Sequence, residues 1–364
     1  MHVALIIYGS LDALSGGYLY DRKLVAHLWD QGDTVKIISL PQTNYLLHLT
    51  HNFSPRLRHR LVRLNADVLL QDELNHPSLF ALNNYLHRHI DYPIVSIVHH
   101  ARSSEEYSTW QRAFYSWIER RYLSSVDALI YNSRTTQQLV ERFLTKAGAQ
   151  NLPGLVAYPG GDRFHSQISN EEIKHRAQDE LLRVVFLGSL IPRKGLHILL
   201  DALARLPADH WGLTVIGSQQ ANPSYAQLLR RQVARDGLAE RVRFCGALSD
   251  LELTNCLRAS HLLVVPSSYE GYGIAYSEAM SFGLPAIGTT AGAAWEIITH
   301  GHNGFLIAPG DVTALGGYLA ELAQDRERLI EMSFAARARY RSLPTWGESL
   351  ERTRAFLAEL VGDA

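Results

Sequence analysis

Short apolar runs separated by longer stretches of helical pattern recur twice along this chain, and that alternation sets the expected architecture. In the first half the runs are Val3–Ile7, Val35–Ser39, Val68–Leu70, Ile94–Val98 and Ala128–Tyr131, with helical patterns such as Gly17–Gln31 and Arg112–Ser124 between them. The second half repeats the design with Arg183–Leu187, Leu213–Ile216, Val242–Phe244, Leu262–Val265 and Ala286–Gly288. Parallel strands joined by helical crossovers are the economical reading, so each half is expected to form a doubly wound α/β domain. Pro159-Gly160-Gly161, followed by the polar stretch His165–Glu180, marks the boundary between them. The expected division is 1–165, 166–345 and a terminal amphipathic helix within 346–364, with Leu350, Phe356, Leu357 and Leu360 among charges.

Composition narrows the class. At 364 residues the chain is too long for one ordinary core, and 46% hydrophobic with 20% charged residues is a globular balance. A formal net charge of −1 offers no global attraction to nucleic acid, and no nucleic-acid partner is expected. Cys245 and Cys256 are too few for a disulfide framework or a structural zinc site, and both lie in segments that read as buried. Met1–Ile7 reads as a first strand, not a signal peptide, and no apolar stretch approaches the ~20 residues of a membrane span. A soluble, cytoplasmic protein is the expectation.

The strongest chemical signal is Glu270 and Glu278 within Tyr-Glu-Gly-Tyr-Gly-Ile-Ala-Tyr-Ser-Glu-Ala-Met (269–280). Pro266-Ser267-Ser268 ends the strand before it, and Gly283 and Pro285 stop a short helix read over Gly273–Phe282. Glu270 then lies on the loop after a strand's carboxyl end, and Glu278 about one turn inside the following helix. Open α/β sheets bind ligands at those ends, with anionic groups at helix N-termini. Two acids flanking such a junction can hold hydroxyls on either side of a bound phosphate, which suggests a sugar nucleotide.

Phe186-Leu187-Gly188-Ser189-Leu190-Ile191-Pro192-Arg193-Lys194-Gly195 supplies the matching cations. Glycine lets backbone approach a phosphate, and Lys194 brings a compact positive charge. A hydrogen bond to a charged group contributes ~1.5–3 kcal/mol against ~0.3–2 kcal/mol for a helix terminus, so Lys194 should outweigh the helix behind it. A solvated Arg-Lys turn is the competing account. Gly16-Gly17, after strand one, serves either a tight connection or close approach to an anionic ligand. His99 and His100 follow Ile94–Val98, but neighbouring extended residues point apart and no third ligand stands at a metal-binding spacing, so no metal is expected. Glu296 follows the small residues Ala291-Gly292-Ala293-Ala294 and reads as a first-turn acid favoured by a helix dipole, or as a mere cap.

With Gly188…Lys194, Glu270…Glu278, Gly292…Glu296 and Asn303-Gly304 in this order, the chain resembles the retaining family-4 glycosyltransferases of GT-B fold. The resemblance is most specific over 183–311 and poor over 40–90. It implies two Rossmann-like domains facing a cleft, and the terminal helix crossing back to the first. It also implies transfer of a sugar from a nucleotide-diphosphate donor, UDP-sugar favoured, to a hydroxyl acceptor, without metal or other cofactor. By the family pattern Glu278 would hold the donor ribose, Glu270 would face the transferred sugar, and Lys194 would neutralise the diphosphate. Tyr272, Gly273 and Ile274 would offer backbone amides, Gly188 would line the phosphate loop, and Gly246 and Leu248 would edge the base. His99 would lie beside the sugar, with Gly16 or Gly17 near the diphosphate. Many relatives carry arginine at the position of Ser189, so Arg193 is the candidate replacement. The leaving phosphate itself would help take the acceptor proton. A sugar-nucleotide epimerase of the same architecture, or a catalytically silent nucleotide-sugar-binding partner, are the alternatives.

For the acceptor, the basic segment 54–64 aligns Leu57, Leu61 and Leu64 with arginines on either side. It reads as a surface helix packed on its own domain or as a seat for an anionic lipid surface, which would place the protein peripherally at a membrane's inner face. Gln111–Leu123, with Phe114, Tyr115, Trp117 and Tyr122, reads as an acceptor wall or as core.

Overall fold

The computed structural model describes every residue except 14, 101, 103–107, 147–151, 165–167, 208–209 and 363–364. It divides into two compact units, 1–159 together with 346–364, and 160–345. The boundary expected at 165/166 falls on residues outside those described.

The first unit is built on β1 (His2–Tyr8), β2 (Thr34–Leu40), β3 (Val68–Asp72), β4 (Ile94–Val98), β5 (Ala128–Tyr131) and β6 (Gly154–Val156). They form one parallel sheet in the order β2-β1-β3-β4-β5-β6. Every residue of β3, β4 and β5 is buried, as central strands covered on both faces require, whereas edge strand β2 alternates. The terminal helix Trp346–Gly362 buries Trp346, Leu350 and Leu357 and packs beside the helix Gly16–Asp30. Arg354 donates to Asp33 at 2.7 Å, and the Tyr20 and Trp346 rings meet edge to face at 5.7 Å.

Leu57, Leu61 and Leu64 belong to this unit's core, packed with Leu79, Leu82 and Leu86. Burial of each contributes about 1.5–3 kcal/mol, so withdrawing all three from the core would cost about 4.5–9 kcal/mol, comparable with a domain's whole margin of stability of ~5–15 kcal/mol. The apolar side of the helix Pro55–Val62, with Leu64 just beyond its end, is therefore committed to the fold. Arg56, His59, Arg60 and Arg63 remain exposed. The helix Thr109–Leu123 divides its aromatics: Tyr122 is fully buried, while Trp110 and Trp117 are exposed.

The second unit carries β7 (Leu182–Leu187), β8 (Trp211–Ile216), β9 (Val242–Gly246), β10 (Leu262–Val264), β11 (Ala286–Thr289) and β12 (Gly304–Ile307). The parallel order is β12-β11-β10-β7-β8-β9, so the strand sequence reverses between β7 and β10. In an open sheet this reversal opens a crevice at the carboxyl ends of the two flanking strands. In the first sheet the reversal lies between β1 and β3.

Each sheet has one strand that the apolar runs did not announce, β6 and β12. Both are short edge strands, of three and four residues. Gly154 opens the first and Gly304 the second, and glycine reads as turn when only local pattern is weighed. Cys245 and Cys256 are half-exposed free thiols, not buried ones as expected.

Candidate functional site

Loops leaving β7 and β10 meet at the reversal in the second unit. After β7 the chain passes Gly188 and makes one 3-10 turn, Pro192–Lys194, before the helix Leu196–Leu203. Gly195, between turn and helix, has φ +72°, and a Cβ there would come within 2.2 Å of the Pro266 carbonyl oxygen. Only glycine lets the two loops approach so closely. The Ser268 amide then donates to the Arg193 carbonyl at 2.8 Å, and Arg193 Nη1 donates to the Tyr269 carbonyl at 2.7 Å.

This contact sets Lys194 beside Glu270, with Nζ donating to Oε1 at 2.6 Å. Ser267 Oγ donates to the same oxygen at 2.5 Å, and the Arg193 guanidinium stands 3.9 Å from Oε2. Burial pushes the Glu270 carboxyl up, but Lys194, Arg193 and Ser267 together hold it down to about 2. Burial also lowers the Lys194 ammonium from its ordinary value, with Glu270 opposing. The lysine's aliphatic stem runs over Gly188. Glu270 is bridged from behind by Gly292, whose φ is +88° and where a Cβ would meet the Glu270 carbonyl oxygen at 2.1 Å.

Tyr272, Gly273 and Ile274 lead into the helix Ile274–Ser281, with Gly273 at its N-cap in the left-handed region, φ +95°. Glu278 is the fifth residue of that helix and is buried. Arg163 Nη1 donates to Glu278 Oε1 at 3.3 Å, and its Nη2 donates to Asp250. Burial lowers the Arg163 guanidinium, but the two acids outweigh it and leave it above its usual value. Asp250 lies two residues beyond Leu248, and Gly246 ends β9 with φ +73°. Glu278 and the Gly246–Leu248 rim are thus linked through Arg163. Sequence reading passed over this residue because an arginine on a glycine-rich loop carries no spacing signal toward positions 250 and 278.

Glu296 does not open a helix. Ala294–Glu296 is a single 3-10 turn, too short for a dipole to favour an acid, and the Glu296 carbonyl accepts from Arg339.

In the first unit Gly16 and Gly17 begin the helix Gly16–Asp30, capped by Ser15. A Cβ on Gly17 would stand 3.1 Å from His99 Cδ2, so this glycine makes room for the imidazole. The His99 and His100 amides both donate to Glu73 Oε2, at 2.9 and 3.1 Å. His99 Nε2 meets Asp21 Oδ1 at 3.3 Å. Asp21, Asp72 and His99 place one ligand-type atom each within 4.8 Å of one another. Positions 21, 72 and 99 come from three elements, and only the parallel register of β1, β3 and β4 assembles them.

Residues 167–339 match the family model described as glycosyl transferases group 1. Over this segment the chain is similar to the group 1 glycosyl transferases. The lipopolysaccharide core biosynthesis mannosyltransferase LpsB of Rhizobium meliloti is 33% identical over 241 residues, covering 64% of this chain and 65% of LpsB. The chain thus spans just under two thirds of that relative. Among solved structures, the sucrose-phosphate synthase of Thermosynechococcus elongatus is similar with a TM-score of 0.83 at 18% identity, over 100% of this chain and 99% of the synthase. HepE of Anabaena, in complex with UDP and glucose, has a TM-score of 0.79 at 21% identity, over 99% and 100%. These likenesses establish a GT-B fold.

The family segment contains Gly188, Arg193, Lys194, Glu270, Tyr272, Gly273, Ile274 and Glu278. Its two acids do not act as a pair: Glu270 is bound to Lys194, and Glu278 to Arg163.

Proposed function

We propose that the protein is a retaining, metal-independent glycosyltransferase that moves a sugar from a nucleotide-diphosphate sugar to a hydroxyl acceptor. The observation that carries this reading is the Lys194–Glu270 ion pair at the strand reversal of the second unit. A diphosphate arriving there offers Lys194 a stronger partner than one carboxylate, and frees Glu270 to accept hydrogen bonds from sugar hydroxyls. Glu278 would take the ribose hydroxyls in place of Arg163. The leaving phosphate would be met by Lys194 and the N-terminus of Ile274–Ser281, and would help take the acceptor proton on the face from which the sugar departs.

A UDP-sugar is the proposed donor, supported by the UDP in HepE, while LpsB by its name transfers mannose. A glycan, lipid or small metabolite is the proposed class of acceptor. Cytoplasmic residence is also proposed; no helix among the described residues is long and apolar enough to cross a membrane. Peripheral membrane contact through 54–64 would be electrostatic, through Arg56, Arg60 and Arg63.

The test is calorimetry with UDP, GDP and ADP, followed by turnover of the matching nucleotide sugars with lipid and oligosaccharide acceptors. Binding of one nucleoside diphosphate, lost in Lys194→Ala, and acceptor-dependent release of nucleotide are expected. Isomerisation of the donor without acceptor, or equal binding by wild type and variant, would sink the reading.

A further inference from the structure

His99 is held from several sides at once. Gly17 packs against the ring, Tyr20 meets it edge-on at 5.3 Å between centroids, and Asn132 Nδ2 donates to its carbonyl at 2.7 Å. Its amide is anchored by Glu73, and its Nε2 by Asp21. Asp21 and Asp72 are both fully buried. A carboxylate oxygen of each lies within 4.8 Å of the other, and Asp21 Oδ2 and Asp72 Oδ2 have no hydrogen-bond partner among the described residues. Two buried carboxyl groups so close resist being ionised together. Three acids thus converge in a place that excludes water, and a cation is needed to offset them.

We propose that Asp21 is a positioning residue for His99: with Asp72 behind it, its carboxylate fixes the imidazole through Nε2 and keeps the ring cationic. With Nε2 committed, any ligand contact by the ring runs through Nδ1–H, a charged donor. His99 then offers a ligand oxygen a charged donor and is unavailable as a general base at neutral pH. This use of the cation rests on the transferase reading, whereas the ion pair does not.

The surrounding charges agree. Burial alone would lower the imidazole's proton affinity, but Asp21, Asp72 and Glu73 raise it to about 9. Burial and the neighbouring acids push Asp72 to about 7 and Glu73 to about 8. Tyr18 and Tyr20, facing the cluster from Gly16–Asp30, are driven up to about 12 and higher, so neither adds charge.

The experiment is a histidine-resolved NMR titration of the full chain, with the His99 signal assigned through His99→Gln. The wild-type ring should remain an imidazolium at pH 8. Asp21→Asn should lower its proton affinity by roughly 100-fold or more, since it removes the direct partner. The alkaline limb of kcat/KM should move to lower pH by the same amount, with activity recovered on acidification. A ring already neutral at pH 7.5, or a midpoint unchanged in Asp21→Asn, would overturn the proposal. If circular dichroism shows that Asp21→Asn does not fold, Asp72→Asn takes its place with a smaller drop expected, and an unchanged midpoint overturns the proposal equally. The titration uses no substrate. Failure of nucleotide binding would remove the transferase reading and leave the Asp21–His99 result standing.

Discussion

Lys194 Nζ lies 2.6 Å from Glu270 Oε1, and the two residues reach that contact from the loops of adjacent strands on either side of the strand reversal. The pair holds the site in shape before a ligand arrives. On the proposed reading donor binding exchanges this contact for another, so the lysine's worth to binding and to folding can be measured separately.

Lys194→Ala should weaken binding of the nucleoside diphosphate by about 1.5–3 kcal/mol, roughly 10- to 150-fold, read by calorimetry. It should also destabilise the fold, because it leaves Glu270 buried with one cation fewer. Breaking a fully buried pair costs about 3–5 kcal/mol. Lys194 keeps 18% of its side-chain exposure, so about 2–3 kcal/mol is the expectation here. Glu270→Gln, which removes the charge and keeps the shape, should destabilise less than Lys194→Ala in the same thermal unfolding assay.

Glu278→Gln should weaken nucleotide binding about tenfold if the carboxylate holds the ribose. The loss should vanish for a nucleotide without 2′ and 3′ hydroxyls. An equal loss for both nucleotides would assign Glu278 to Arg163 and the fold rather than to ribose.

Glu270 and His99 should respond to pH in opposite directions. Glu270 is depressed to about 2, so its stabilisation is complete above its ordinary value of 4.5 and is lost as pH falls toward 2. His99 is raised to about 9, so its contribution is complete below 6.5 and is lost as pH rises through 9. Asp72 and Glu73, raised to about 7 and 8, bind more protons folded than unfolded and push the same way as His99. Calorimetric unfolding of Glu270→Gln should therefore lose part of the acid limb seen in wild type, and that of His99→Gln part of the alkaline limb. The first unit has an acid limb of its own through His76, lowered to about 3 by burial, so the two variants and not the two units separate the effects. Unchanged limbs in both variants would contradict this.

Gly292→Ala should cost about 3 kcal/mol or more, since its φ of +88° is strained for alanine and its Cβ would collide with backbone at Glu270. Gly17→Ala meets only the edge of the His99 ring, at 3.1 Å. A small stability loss and a larger loss of turnover are expected there, measured by thermal shift and initial rates.

Much of this was legible from local pattern. The central strands announce themselves as apolar runs because both faces are covered, and the Glu270 and Lys194 loops because glycine, proline and charge follow such runs. Short edge strands escaped, since Gly154 and Gly304 look like turns. The dipole reading of Glu296 failed because helix length past a glycine-rich segment depends on packing, not on composition.

By itself the sequence determined the doubly wound class and the places of the central strands, and it nominated residues whose chemistry suits phosphate and sugar. Those properties follow from periodicity and from the nature of each side chain. Only the tertiary structure decided which charges meet. Lys194 holds Glu270, Arg163 holds Glu278, and Asp21 holds His99. Strand order and parallel register bring residues tens of positions apart within one hydrogen-bond length, and no local pattern encodes that distance.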